Sequence, residues 1–282
     1  TVDNKHGKSK MTSILRDSEV QIEGESYNMG YLNYTDKINA AYQYGGPELA
    51  IRTLNQNFSV DGSSLNIRDY VTVNFANMAA IVDAFGGVDI ELTAEEVDAV
   101  NDNLWALSQE VEQQKETDQA NGTYEEQTYA EITSEDYIPD INGEINIAYG
   151  ENGDGTYHLN GNQAVAYGRI RYVDSDWGRV ERQGIVLEAM FDRIRGLSVP
   201  ELIQLAPKML KYVTSDLSLT QITGLAIGML KHGMPTIEHG RIPVDGAWSY
   251  GGSQGQYIVF DVEQAAQQLN DYIYNDVPLT SK

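Results

Sequence analysis

The stretch from 70 to 92, YVTVNFANMAAIVDAFGGVDIEL, does most to restrict the fold. YVTVNF (70–75) alternates apolar and polar residues as a strand does. ANMAAIVDAF (76–85) has helical character, and Gly86-Gly87 supplies a natural stop. VDIEL (88–92) is a second strand. Strand, helix and strand in this order imply α/β or α+β packing of helices on a sheet.

The rest of the chain fits that frame. MTSILRD (11–17) reads as a buried strand that delivers Arg16 and Asp17 to its C-terminal end. Residues 18–35 read as a polar, Tyr-bearing loop, and 36–58 as a loop and a helix with Pro47 in its first turn. Ile51, Leu54 and Phe58 then share one helical face. Residues 155–172 read as a strand or turn, a short helix and the strand RIRY, followed from Gly178 by a long helix. Helices follow over 200–213 and 219–231, then two strands around a Gly-rich loop in 235–263, and a closing helix over 262–274. From 98 to 155 the chain is rich in Gln, Glu, Asp, Asn and Thr and loses periodicity beyond about 116. It reads as a polar surface insertion in a single domain spanning 1–282.

Charge narrows the function. The formal net charge is −23, so the average surface repels nucleic acid, whose binding rests on Lys and Arg. Cys is absent, which removes disulfides, thiolate metal sites and a Cys nucleophile. The four His, at 6, 158, 232 and 239, have no metal-ligand spacing. Neither a G-x-S-x-G nor a Walker-type GK[ST] loop occurs. No run of about 18 apolar residues is present. The opening TVDNKHGKSK reads as the end of a strand and a polar turn, as if the chain begins inside a domain.

Against that acidic background, YGRIRYVDSDWGRVERQ (167–183) gathers Arg169, Arg171, Arg179 and Arg182. In a strand Arg169 and Arg171 point the same way. In a helix Arg179, Arg182 and Gln183 share a face. The short loop between them brings both sets near a helix start, whose free N–H groups suit an anion. Guanidinium forks match phosphate oxygens, so the cluster points to a phosphate-rich ligand. Arg182 alone reads as structural, paired with a carboxylate such as Glu181 or Glu188. Asp176 has two readings: a helix N-cap, or a base that takes a proton from an incoming hydroxyl.

SILRD (13–17), DKINAAYQYGG (36–46), YVTVNF (70–75), FGGVDIEL (85–92), HLNGNQAVAYGRIRY (158–172) and DWGRVERQ (176–183) occur in that order. The series resembles the LytR-CpsA-Psr family of cell-envelope proteins over about 1–200, apart from the insertion. The resemblance implies a three-layer α/β/α sandwich around a mixed central sheet, with the first core strand truncated here. It implies an extracellular phosphotransferase of the Gram-positive cell wall, tethered by an N-terminal membrane anchor outside this chain. The enzyme would move a wall glycopolymer, such as a teichoic acid or capsule, from a polyprenyl-pyrophosphate carrier to peptidoglycan. A noncatalytic envelope module that binds polyprenyl phosphate or wall polymer is the alternative, as is the transcriptional attenuator of the family's older label. By the same resemblance Arg16, Lys37, Arg169, Arg171, Arg179 and Gln183 would bind pyrophosphate, and Asp176 would be the base. The family's Mg²⁺ ligands would lie upstream of Thr1, so Asp3 is not assigned to metal. Apolar residues of 185–230 would line a groove for the prenyl tail.

Overall fold

The structure is a computed structural model of the chain, and it describes residues 2–3, 8–62, 65–122, 131–139, 154–171, 173, 176–231 and 237–279. In chain order the strands are Val2–Asp3 (β1), Lys8–Ile14 (β2), Glu19–Glu25 (β3), Tyr31–Lys37 (β4), Val71–Thr72 (β5), Val88–Leu92 (β6), Gly155–Leu159 (β7), Thr214–Ser215 (β8), Ile237–Ile242 (β9), Trp248–Gly251 (β10) and Tyr257–Phe260 (β11). The α-helices are Ile38–Phe58 (α1), Phe75–Ala84 (α2), Ala94–Asn121 (α3), Gly161–Tyr167 (α4), Asp176–Arg195 (α5), Val199–Leu210 (α6), Leu219–Lys231 (α7) and Val262–Asn275 (α8). The fold is mixed α/β, as the sequence implies. The chain forms two compact units: 1–70 with 215–217 and 232–282, and 71–214 with 218–231.

In the first unit β2 pairs antiparallel with β1 and parallel with β9, a small mixed sheet. Residues 18–35, expected as a loop, instead form most of the β3–β4 hairpin, with Val20 opposite Asp36 and Ile22 opposite Tyr34. Val20, Ile22 and Gly24 are buried while Gln21 and Glu25 face solvent, so the period of two was present in EVQIEGE. Helix α1 lies on the buried side through Ala40, Ala41 and Leu49, which join Ile22 and Leu32 in one core. It breaks at Gly45 and Gly46, and Gly46 takes φ 64°, a conformation that strains any other residue. Pro47 restarts the helix where its missing N–H is not needed. A second core joins Val20, Phe58, Ile242 and Val244 to Ala265, Leu269, Tyr272 and Ile273 of α8. The region 235–263 holds three strands rather than two, with the Gly-rich loop joining the antiparallel β10 and β11.

In the second unit, Val88, Ile90 and Leu92 of β6 face inward and Asp89 and Glu91 outward. Strand β7 pairs antiparallel with β6. Asn74 caps α2 by accepting Asn77 N–H at 2.8 Å. Of the expected strand 70–75, Val71–Thr72 pairs as a strand and Phe75 already belongs to α2. Thr93 and Glu96 close a capping box on α3. The insertion expected from 98 begins inside this helix, and Val97, Val100, Leu104 and Leu107 are core residues at helical spacing. The segments 123–130 and 140–153 of that expected insertion lie outside the described residues. Asn101 clamps Ile138 through both backbone groups at 2.9 Å, tying 131–139 onto α3.

Helix α4 crosses α2 at Gly161. A Cβ there would sit 2.0 Å from the Ala79 carbonyl oxygen, so only Gly allows the approach. Gly161 N–H also donates to Asp83 Oδ1 at 2.7 Å. The contact fixes the helix that leads directly into the arginine segment.

Candidate active site

Arg16 and Lys37 come together in the first unit. Strand β2 ends with Ile14 beside Ile242, and Leu15 N–H continues the ladder to the Ile242 carbonyl at 3.0 Å. The chain then turns, leaving Arg16 exposed and Asp17 partly covered. The Asp17 carboxylate accepts Arg16 Nε at 3.1 Å and Nη2 at 3.0 Å, and Lys37 Nζ lies 3.0 Å away. Burial raises the Asp17 carboxyl, but the bonds and charges of Arg16 and Lys37 outweigh it and hold the group below its ordinary range.

Asp36 organises the other side of Lys37. Its carboxylate accepts Lys37 N–H at 2.7 Å, the Tyr44 hydroxyl at 3.2 Å and the Tyr257 hydroxyl at 3.3 Å. Lys37 Nζ in turn lies 5.9 Å from the Tyr257 ring centre. Hydrogen bonding with Tyr34, burial and the Asp36 charge push Tyr44 up to about 12. These phenols stay neutral donors at neutral pH and hold the carboxylate in place.

The second unit carries Arg169, Arg171, Arg179, Gln183 and Asp176. Residues 169–171 of the expected strand RIRY do not form a strand, and Tyr172 lies outside the described residues. Gly168, Arg169 and Ile170 donate their N–H groups to Ala164, Ala166 and Tyr167, continuing the turns of α4. The alternation that suggested a strand has another cause: Ile170 is buried, while Arg169 is partly exposed and Arg171 exposed. The two guanidinium groups therefore still leave the core on either side of one apolar anchor. Arg169 Nη2 meets Glu110 Oε1 at 2.7 Å, and its guanidinium lies 5.0 Å from the Phe75 ring centre. Phe75 is more than half exposed, so its ring offers a platform for a cation at the surface.

Helix α5 meets this segment from the side. Gln183 Nε2 donates to the Gly168 carbonyl at 3.2 Å and Arg182 Nη2 to the Ile170 carbonyl at 3.4 Å. Arg182 is only 3% exposed, and its partner is Glu96 at 3.3 Å, not the sequence neighbours Glu181 or Glu188. Asp176 and Arg179 stand on the first turn of α5, and their side chains lie outside the described residues. The helix start at Asp176 gives that end a partial positive charge.

Several residues of these surroundings escaped sequence reasoning. Glu110 lies in the stretch expected as surface insertion, and Phe75 sits at the end of an expected strand. Asp36 and Tyr257 are far apart in the chain, so their contact has no sequence signal beyond the hydroxyl and the carboxylate themselves. Glu96 was legible as the fourth residue of Thr93-x-x-Glu96, but its second task toward Arg182 was not.

Among the described residues no group of three or more His, Asp or Glu side chains could hold a metal ion. Among the described residues, too, no helix is long and apolar enough to cross a membrane. Ile185, Ile203, Leu219 and Leu225 of α5, α6 and α7 are exposed apolar groups.

The chain is 26% identical over 280 residues to the polyisoprenyl-teichoic acid–peptidoglycan teichoic acid transferase TagV of Bacillus subtilis (strain 168), a match covering 97% of this chain. The chain spans 58% of that relative's length. The crystal structure of B. subtilis TagV superposes with a TM-score of 0.61 at 22% identity, covering 98% of this chain and 87% of that one. The structure of TagT bound to LIIa-WTA gives a TM-score of 0.58 at 22% identity, covering 96% of this chain and 80% of that one. These likenesses show that the fold is shared. The model of the LytR_cpsA_psr family matches residues 1–273, and the chain belongs to that family.

Proposed function

We propose that the protein is an extracellular phosphotransferase that moves a wall glycopolymer from a polyprenyl-pyrophosphate carrier to a hydroxyl of peptidoglycan. The observation that carries this reading is the arginine segment: Arg169 and Arg171 leave the core on either side of buried Ile170. Relatives named as teichoic acid transferases support the substrate class.

In the proposed reaction the acceptor oxygen attacks the phosphorus that carries the glycopolymer. The bond from that phosphorus to the bridging oxygen breaks, and polyprenyl monophosphate leaves with the electron pair. Asp176 takes the acceptor's proton. Arg169, Arg171 and Arg179 stabilise the charge that grows on the departing phosphate, and Gln183 adds a neutral donor. By the family resemblance Arg16 and Lys37 are also pyrophosphate ligands, and each would exchange Asp17 for that anion. The exposed apolar side chains of α5 to α7 would receive the prenyl tail. Such chemistry belongs on the outer face of the cytoplasmic membrane, where an anchor beyond this chain would hold the protein.

The test is polymer transfer from a lipid-pyrophosphate donor to peptidoglycan by the full-length protein. Joint replacement Arg169→Ala and Arg171→Ala is expected to lower transfer by at least about 100-fold, the scale lost with groups that stabilise transition-state charge. Undiminished transfer would sink the assignment.

A further inference from the structure

We infer that Arg182 is a positioning residue for the proposed pyrophosphate site, holding the Arg169–Arg171 segment in place without touching the ligand; the inference rests on the function proposed above. Four observations lead to it. Arg182 is only 3% exposed, so it cannot meet an anion arriving from solvent. Its Nη1 is engaged with Glu96 at 3.3 Å and its Nη2 with the Ile170 carbonyl at 3.4 Å. Glu96 is itself fixed, because its other carboxylate oxygen accepts Thr93 N–H at 3.1 Å in the capping box of α3. Ile170 is the residue between the two outward arginines, and its side chain is buried.

The result is a strut. One end is the start of α3, the middle is a guanidinium on α5, and the other end is a backbone carbonyl between Arg169 and Arg171. Gln183 repeats the contact one step away, on the Gly168 carbonyl at 3.2 Å. Two neighbouring side chains of α5 thus take alternate carbonyls of the segment. The amides of 168–170 are already committed to α4. With carbonyls, amides and the Ile170 side chain all engaged, the guanidinium groups are displayed from a backbone that cannot shift freely. A planar fork is needed to reach a carboxylate and a carbonyl at once, and Lys offers one point charge instead. Of the two arginines near the start of α5, Arg179 is left for the ligand and Arg182 for the frame.

The test compares variants of the full-length protein, using a farnesyl-pyrophosphate-linked disaccharide as donor and peptidoglycan strands as acceptor. The double variant Arg182→Met with Glu96→Gln removes both buried charges together, and Gln keeps the capping box. It is expected to keep the wild-type melting temperature yet lose about 10- to 100-fold in kcat/KM, chiefly in kcat, because displacement of a catalytic group by about 1 Å has that effect. Amide hydrogen exchange over 168–171 should quicken in parallel. Arg182→Lys, which retains the charge beside Glu96, should fold normally and recover part of the rate. Wild-type kcat/KM in a folded double variant overturns the inference. Should the double variant unfold, wild-type kinetics and exchange in Arg182→Lys overturn it equally. Joint Arg169→Ala and Arg171→Ala is run alongside. If that variant transfers normally, the proposed function fails. If it is inactive while the Arg182 variants are normal, only the positioning role fails.

Discussion

The contact between α4 and α2 can be tested with one methyl group. In Gly161→Ala the new Cβ would lie 2.0, 2.5 and 2.7 Å from the O, C and Cα of Ala79. These are backbone atoms, so no side-chain rotation relieves the overlap. Ordinary carbon contacts lie at about 3.5–4.0 Å, so α4 must withdraw by roughly 1–1.5 Å. Overpacking of this kind costs about 1–3 kcal/mol. The same withdrawal stretches the 2.7 Å bond from Gly161 N–H to Asp83, and hydrogen bonds to charged groups contribute about 1.5–3 kcal/mol. The expected loss is therefore about 3–5 kcal/mol, a melting shift of roughly 10 °C for a chain of this size. Urea unfolding followed by far-ultraviolet circular dichroism measures it, with the second unit's transition as the readout. Gly155→Ala is the control, since its Cβ would meet nothing within 4 Å and should change stability by no more than about 0.5 kcal/mol. If Gly161→Ala is as stable as that control, the close-approach argument is wrong.

Two further outcomes follow from the ion pairs. Glu110→Gln frees Arg169 from a carboxylate that is 57% exposed, and such pairs are worth about 0.2–1 kcal/mol. Calorimetry with farnesyl pyrophosphate should then show binding about 2- to 5-fold tighter, with the gain fading at high salt; weaker binding would refute a competing role for Glu110. Asp17 titrates below its ordinary range in the folded protein, so its stabilisation is present above the unfolded pKa and lost as pH falls through the folded one. Asp17→Asn should cost about 1 kcal/mol at pH 7 and progressively less toward about pH 2, and an equal penalty across that range would contradict the pairing.

Much of the fold was legible because its elements announce themselves locally. The apolar spacing of 262–274, the Gly86-Gly87 stop and the alternation of VDIEL are properties of neighbouring residues. The β3–β4 hairpin was equally local, yet the Tyr, Asn and Gly around it outweighed the alternation Val20, Ile22, Gly24. RIRY misled for a different reason. An apolar residue between two arginines satisfies a period of two, but it also satisfies a helix end that buries one residue and exposes both neighbours. Only the three amides bonded back into α4 separate these cases. Arg169 and Arg171 could be named from sequence because clustered guanidinium groups stand out in an acidic chain, whereas Arg16 and Lys37 were named only through the family resemblance. Glu110, the partner of Arg169, could not be told from the many other carboxylates. Arg182 was the hardest, since burial and partner both depend on α3, some 86 residues away from it in the chain.

The division of the chain also bears on how it comes to be folded. Residues 71–214 of the second unit are continuous, so nearly all of that core exists once they have emerged. The first unit is assembled from both ends of the chain, and its parallel pair joins Ser9 to Ile237. Strand β2 must therefore wait, with that edge unpaired, until Ile237–Ile242 have been made or exported. Closing so long a loop is slow, and exposed strand edges invite wrong partners. When refolding is followed from denaturant, the helical second unit should gain protection first, and the β2–β9 ladder last.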